Sequence, residues 1–285
     1  MPIDMTKKPE IISGKVALID GDILAYYASG SKLATSKEAT VEMLEQLLYD
    51  IMYNTRAESS IVIITGDKTK GDRVSIAVTK PYKGNRKDAE PPEFLQDAKD
   101  YLSTSVKSEN RRGILTITGS PAERFSGEAD DVLIKLHTAL KAKYKPIICT
   151  ADKDLLQAPG WHYDLRSTAE VYIPENEMGT LELLRKPSYT AIKGTGWLLF
   201  WSQMLTGDTA DNIPGAVRIG AVKAYDLLKD VKTNLEAMDI IMTEYKKGYK
   251  EKWHDVFIEQ YKLLALDPEG LHKGIPSWMD YSKKM

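Results

Sequence analysis

The apolar residues fall into two kinds of run. Short blocks rich in β-branched residues have the length and composition of buried strands: KVALID at 15–20, SIVIITGD at 60–67, ILTIT at 114–118 and the apolar stretch at 146–149. Weaker strands are expected at 162–165 and 170–173. Between them the spacing becomes helical. Val41, Leu44, Leu47, Leu48 and Ile51 recur on one helix face, with Thr35 and Glu38 as a candidate capping box ahead of it. A second amphipathic helix runs from Glu128 and has an acidic first turn. Strands alternating with helices predict an α/β fold, a mainly parallel central sheet with helices on both faces. From about residue 190 the pattern turns helical and Gly-punctuated, so the expected division is a core at 1–190 and a helical region at 191–285.

The stretch from Lys68 to about Arg112 fits neither pattern. It is polar and broken by Pro81, Pro91 and Pro92, and is read as an excursion from the core. Between Lys68 and Lys87 it carries seven basic residues against the single acid Asp72, a local charge of +6, while the whole chain has 39 Lys and Arg against 41 Asp and Glu. The net charge of -2 therefore hides a strong separation of sign. No run approaches the roughly 20 apolar residues of a membrane span, and the first ten residues lack the apolar stretch of a secretory signal. An intracellular, cytoplasmic protein without a membrane partner is expected. The single cysteine, Cys149, with four scattered His, offers no zinc pattern, so any metal must be held by oxygen.

The acids fall where such a fold binds ligands. In parallel α/β sheets this is outside the carboxyl ends of the strands. Asp20, Asp67, Asp152 and Asp154 each stand at or just past an expected strand end, and Glu128, Asp130 and Asp131 open the helix after the third strand. Asp208 and Asp211 in GDTADN are candidates to join them. Taken singly, an acid in a first helical turn is an ordinary cap or dipole partner. Asp22, just before ILAYY, is read that way. Seven carboxylates on one rim would oppose folding by mutual repulsion, and divalent cations remove that conflict. Hard oxygen ligands suit two magnesium or manganese ions in the arrangement used for displacement at phosphorus.

LIDGD, ITGD, YKGNRK, GEADDVL, TADKDLLQ and GDTADNIPG, in this order, resemble the motifs of the flap endonuclease and 5′ to 3′ exonuclease family, which includes bacteriophage exonucleases and the N-terminal nuclease domain of bacterial DNA polymerase I. The likeness covers roughly residues 15–230. It implies a PIN-like nuclease core followed by a helix-hairpin-helix region, and a two-metal hydrolase of DNA phosphodiester bonds. Asp20, Asp67, Glu128 and Asp130 are implied for the first ion or its waters, Asp152, Asp154 and Asp211 for the second, and Asp131 and Asp208 as outer acids that orient water. PYKGNRK is similar to the base of a basic arch at about 68–112. There Lys83 and Arg86 would act on the scissile phosphate, Tyr82 would stack on a base, and Lys87 would add to DNA binding.

Residues 213–228, within a hairpin element at about 207–230, resemble the family's phosphate-binding hairpin, with Gly215, Gly220, Arg218 and Lys223 as its DNA contacts and a monovalent cation as a further ligand. Two departures stand out: Arg218 occupies a position where the family has Gly, and Val74 and Ser75 stand where an arch Arg is common, with Arg73 beside them. Trp197, Leu198, Phe200, Trp201 and Leu205 are read as core that holds the hairpin, and the Lys-rich segment 244–252 as a solvated helix end.

The expected partner is DNA with a 5′ end, nick or flap, bound by a monomer. RNA in a hybrid is a further candidate substrate. A stand-alone, phage-encoded enzyme in the host cytoplasm fits the length. Two other readings compete. A haloacid dehalogenase-type phosphatase would use Asp20 as nucleophile, but leaves EADD, DKD and the basic segment unexplained. A non-catalytic DNA-binding scaffold would use the acids only as caps, and would be unaffected by Asn at 130 or 152.

Overall fold

A computed structural model of the 285-residue chain describes residues 10–65, 71–86, 90–108, 114–116, 128–175 and 177–266. The chain divides into two compact units. The first comprises residues 1–69, 90–153 and 160–172, and the second residues 70–89, 154–159 and 173–285.

The first unit is built on a sheet of β1 (Ile12–Asp20), β2 (Ala57–Ile63), β3 (Ile114–Thr116), β4 (Lys145–Thr150), β5 (Gly160–Asp164) and β6 (Ala169–Ile173) in the order β3-β2-β1-β4-β5-β6. The β1–β2, β1–β4, β2–β3 and β4–β5 pairs are all parallel. This is the expected mainly parallel sheet. Its second strand ends at Ile63, four residues before Asp67, because the chain leaves the ladder there.

Strand alternation assigns the two faces. Ala17, Ile19, Val62, Ile147, Cys149 and Tyr163 point to one face. They bury against Leu24, Ala25 and Ala28 of the Gly21–Ser29 helix, Leu44, Leu48 and Ile51 of the Lys37–Thr55 helix, and Ala98 and Leu102 of the Leu95–Ser108 helix. The opposite parity, Leu18, Ile61, Ile63 and Ile148, faces the other side, where the Ala129–Leu140 helix packs on β1, β2 and β4. Burial drives both layers: each fully covered Leu or Ile contributes on the order of 1.5–3 kcal/mol.

Local signals differ in detail from the sequence reading. The Lys37–Thr55 helix is capped by Ser36, whose hydroxyl accepts the Ala39 amide at 3.1 Å, not by Thr35. Asp20 itself caps the Gly21–Ser29 helix, accepting the Ile23 amide at 3.1 Å. Asp22 instead pairs with Lys99 at 2.7 Å and accepts the Thr65 amide at 2.9 Å. Gly21 is required here, since a Cβ would lie 2.7 Å from the Ile63 carbonyl.

The second unit is a helical body with one antiparallel pair, β7 (Thr180–Arg185) with β8 (Thr190–Thr195), which the periodicity did not show. Its core gathers around the Gly196–Thr206 helix, whose Phe200, Trp201, Met204 and Leu205 are wholly buried. Against it pack the helices Ala221–Leu228, Asn234–Tyr249 and Trp253–Leu264. Trp197, Leu198, Phe200, Trp201 and Leu205 thus serve as core, as expected. Among the described residues no helix is long and apolar enough to cross a membrane.

Candidate metal and nucleic-acid site

With β2 on one side of β1 and β4 on the other, the chain reverses its winding between β1 and β4, and the crevice of such a sheet lies at their carboxyl ends. Asp20 ends β1 and Thr150 ends β4. The Thr150 hydroxyl meets Asp20 Oδ2 at 2.8 Å and accepts the Asp152 amide at 3.0 Å. Asp20 is 6% exposed. Burial, and then the charges of Asp22 and Asp152, push its carboxyl up from 3.8 to about 7 against its two hydrogen bonds.

The Ala129–Leu140 helix starts at the same edge. Its Ala129 amide donates to the Thr65 hydroxyl at 3.0 Å, two residues beyond β2. The cap is therefore supplied by Thr65, and the side chain of Glu128, at the N-cap position, makes no capping bond. Glu128 is therefore not the side-chain cap of this helix. Asp130 accepts the Asp131 amide at 2.8 Å, and Asp131 is buried. Asp20, Glu128, Asp130, Asp131 and Asp152 accordingly belong to one unit and to one edge of its sheet.

The second unit organises the remaining expected residues. Asp154 accepts from Gln203 Nε2 at 2.6 Å. Asp208 folds the GDTADN loop, accepting the Ala210 amide at 2.7 Å and exchanging backbone hydrogen bonds with Ile213. The PYKGN segment is laced to that loop. Tyr82 donates its hydroxyl to Asp211 at 2.9 Å and faces Arg73 Nη1 at 3.4 Å, Lys83 donates its amide to the Asp211 carbonyl, and Asn85 and Asn212 each bond across. Lys83 holds a left-handed backbone, φ 52°, a conformation that costs a non-glycine residue about 1–3 kcal/mol. Its ammonium sits 4.7 Å from the Tyr82 ring centre.

The hairpin is built on two glycines back to back. At Gly207 (φ 72°) and Gly215 (φ 70°) a Cβ would run into the other's segment. Arg218 keeps φ 61°, so the turn retains the conformation that glycine favours without being glycine. Gly220 is different: nothing lies within 4 Å of a Cβ placed there, and the Ala221–Leu228 helix it precedes has no side-chain cap. Its first amides are thus open to an anion. Lys223 reaches Glu244 at 2.8 Å and stays half exposed.

Asp67 and Lys87 lie outside the described residues, as does the side chain of Arg86, whose backbone closes a short 3-10 turn. Among the described residues no three His, Cys, Asp or Glu side chains are grouped to hold an ion. The donor set nevertheless fits a hard divalent cation: a buried carboxyl whose charge is opposed by burial and by two further acids is what such an ion would relieve. Residues that carry no charge escaped the sequence reading. Thr65, Thr150 and Gln203 orient the acids, and only their position beside the motifs hinted at it.

A family model described as 5′–3′ exonuclease, N-terminal resolvase-like domain, matches residues 15–178. The chain belongs to this 5′–3′ exonuclease family. The chain is 30% identical over 265 residues to a 5′–3′ exonuclease of Buchnera aphidicola, covering 87% of this chain and 77% of that one. It is 29% identical over 275 residues to the thermostable DNA polymerase I of Thermus aquaticus, covering 95% of this chain but 30% of the polymerase. Among solved structures, the bacteriophage T5 flap endonuclease in a complex with DNA and metal ions aligns with a TM-score of 0.59 at 17% identity, over 95% of this chain and 97% of that one. The chain therefore has the resolvase-like fold of that family, with the mainly parallel sheet that its strand pattern predicts.

Proposed function

We propose that the chain hydrolyses phosphodiester bonds in DNA bearing a 5′ end, a nick or a flap, as an intracellular monomer that uses two magnesium or manganese ions. The observation that carries this reading is Asp20. It is a buried carboxyl at the sheet's crevice, tied through Thr150 to Asp152 and pushed to about 7 by burial and neighbouring acids. Asp20, Asp67, Glu128 and Asp130 would hold the first ion or its waters, Asp152, Asp154 and Asp211 the second, and Asp131 and Asp208 would orient water. Bound there, the ions would supply Lewis-acid stabilisation of the charge that develops at phosphorus.

The chain's own residues do the rest. Lys83 and Arg86 place positive charge on the scissile phosphate. Tyr82, locked between Arg73 and Asp211, sets their position, and Lys87 extends the contact. The open amides beyond Gly220, with Gly215, Arg218 and Lys223, grip duplex phosphates without reading sequence; a monovalent cation at the hairpin belongs to the same reading. The solved bacteriophage T5 structures with metal ions, one of them also with DNA, support it.

Incubation with 5′-labelled flap, nicked and blunt duplexes in magnesium and in EDTA tests the proposal. Metal-dependent release of 5′ products is expected, together with loss of cleavage but retained DNA binding in Asp152→Asn. No hydrolysis with either ion would end it, and a trapped aspartyl phosphate on Asp20 would replace it by phosphatase chemistry.

Glu259 tests how the basic segment is set. Its carboxylate accepts the amides of Val78 and Thr79 at 2.8 and 2.7 Å and the Thr79 hydroxyl, just ahead of PYKGN. Glu259→Ala is expected to lower the turnover rate about ten- to a hundredfold by misplacing Lys83. Duplex affinity should stay unchanged, and Glu259→Gln should recover part of the rate. An unaltered rate in the Ala variant would show that the segment is held by other means.

A further inference from the structure

The segment 244–252 carries exposed lysines at a helix end. It closes the Asn234–Tyr249 helix, whose last turn lies against the hairpin loop, and continues through a 3-10 turn, Lys250–Lys252. Gly248 lets the helix approach that loop, since a Cβ there would lie 2.8 Å from Cβ of Val217. Tyr249 donates its hydroxyl to the Gly215 carbonyl at 2.6 Å. Glu244, 8% exposed at its side chain, receives Lys223 of the hairpin's second helix at 2.8 Å and Lys247 of its own helix at 2.6 Å. One buried carboxylate thus props two exposed lysines, from two elements, side by side.

The remaining lysines of the segment also face solvent. Lys246, Lys250 and Lys252 are exposed, as is Arg218 on the loop. Six cations against Glu244 and Glu251 leave this surface a charge of +4. Lys250, which opens the 3-10 turn, holds φ 52°, a backbone conformation that disfavours a side chain.

We infer that Lys247, Lys250 and Lys252 form a second strip of phosphate contacts that extends the hairpin's footprint along the duplex arm of the substrate. The inference rests on the proposed nuclease function. The chemistry selects a duplex backbone over a single strand. Single-strand sites need outward aromatic rings on which bases stack, and here Tyr249 is tied to Gly215 while Trp253 lies beneath Lys246, 4.8 Å from its ammonium. The strip has charge without a stacking platform, which suits sequence-independent phosphate binding.

The test is equilibrium binding in EDTA, where cleavage is suppressed, with Lys247→Gln/Lys250→Gln/Lys252→Gln against the wild type. The probes are a flap substrate with a long duplex arm, the same flap with the arm shortened, and the free single strand. Between about 50 and 300 mM salt the variant's plot of log affinity against log salt should be shallower by about 2–3 units on the long arm, since each duplex phosphate contact contributes roughly 0.9. The difference should shrink on the short arm and vanish on the single strand. In magnesium, KM should rise while the turnover rate at saturation and the melting temperature hold.

An unchanged slope on the long arm, or an equal loss on the single strand, overturns the strip. Wild-type protein that cleaves normally while the slope is unchanged removes this inference alone. Wild-type protein that cleaves nothing removes the reading on which it rests.

Discussion

Asp20→Asn is expected to abolish cleavage while making the metal-free protein more stable at neutral and alkaline pH. Asn keeps the cap, because its carbonyl can accept the Ile23 amide as Asp20 Oδ1 does. What it loses is a charge that the fold resists. Burial is the main cause and the charges of Asp22 and Asp152 the lesser one, together holding the carboxyl near 7 instead of 3.8. Between those values the folded chain retains a proton that the unfolded chain has released. Stability therefore falls as pH rises through that window and levels off above about 7. The full shift corresponds to an upper bound of about 4 kcal/mol.

In EDTA this titration should lower the wild type's stability at pH 8 relative to pH 5 by about 3 kcal/mol or less, offset in part by buried His137, which titrates the other way. The Asn variant should lack that component and exceed the wild type at pH 8 by about 1–4 kcal/mol. Cleavage in magnesium should fall about a thousandfold or more, because a lost ligand gives up several kcal/mol of charge stabilisation. A variant that is less stable than the wild type at pH 8 without metal would show that Asp20 carries no such burden.

The same trade explains what could be read in the sequence. The strands at 15–20, 60–67 and 146–149 stood out because parallel strands buried on both faces are nearly continuous apolar runs, and β1, β2 and β4 are such strands. The acids stood out because they interrupt those runs at their ends, where Asp20 and Asp152 now sit. The β7–β8 pair did not stand out. Its residues are mostly exposed or half-buried, so no apolar run marks it.

The linking residues were also silent. Thr150 matters through one hydroxyl that touches both Asp20 and Asp152, and Glu259 lies 180 positions from the Thr79 amide it accepts. Neither distance nor direction is encoded in local pattern. Arg218 shows the converse. It stands where the family has glycine, yet its backbone keeps a left-handed φ of 61°, just after the segment fixed by the paired glycines at 207 and 215 and the Asp208–Ile213 bridge.

A second titration should run the other way. His137, on the helix that opens with Glu128, is 2% exposed and lies 6.4 Å, ring to ring, from the equally buried His162 on β5. Gly160 admits it, because any Cβ there would collide with the His137 ring. Burial foremost, then the charges of Lys141 and His162, press its pKa down from 6.5 to about 3. Below 6.5 the unfolded chain takes up a proton that the folded chain refuses. The contribution is therefore whole above 6.5 and drains as pH falls toward 3. At full extent it amounts to about 5 kcal/mol, a large share of the 5–15 kcal/mol that holds an ordinary domain together.

His137→Asn separates packing from charge. Loss of the ring leaves a void behind Gly160 that should cost about 1–3 kcal/mol at pH 7. The same change removes the proton sink, so the variant should lose less stability than the wild type between pH 6.5 and 4.5, and the two curves should converge on acidification. Urea unfolding in EDTA across that range reads both effects at once. Parallel curves would mean that the acid sensitivity of the fold arises elsewhere, and that the imidazole is held in place by packing without any titration penalty.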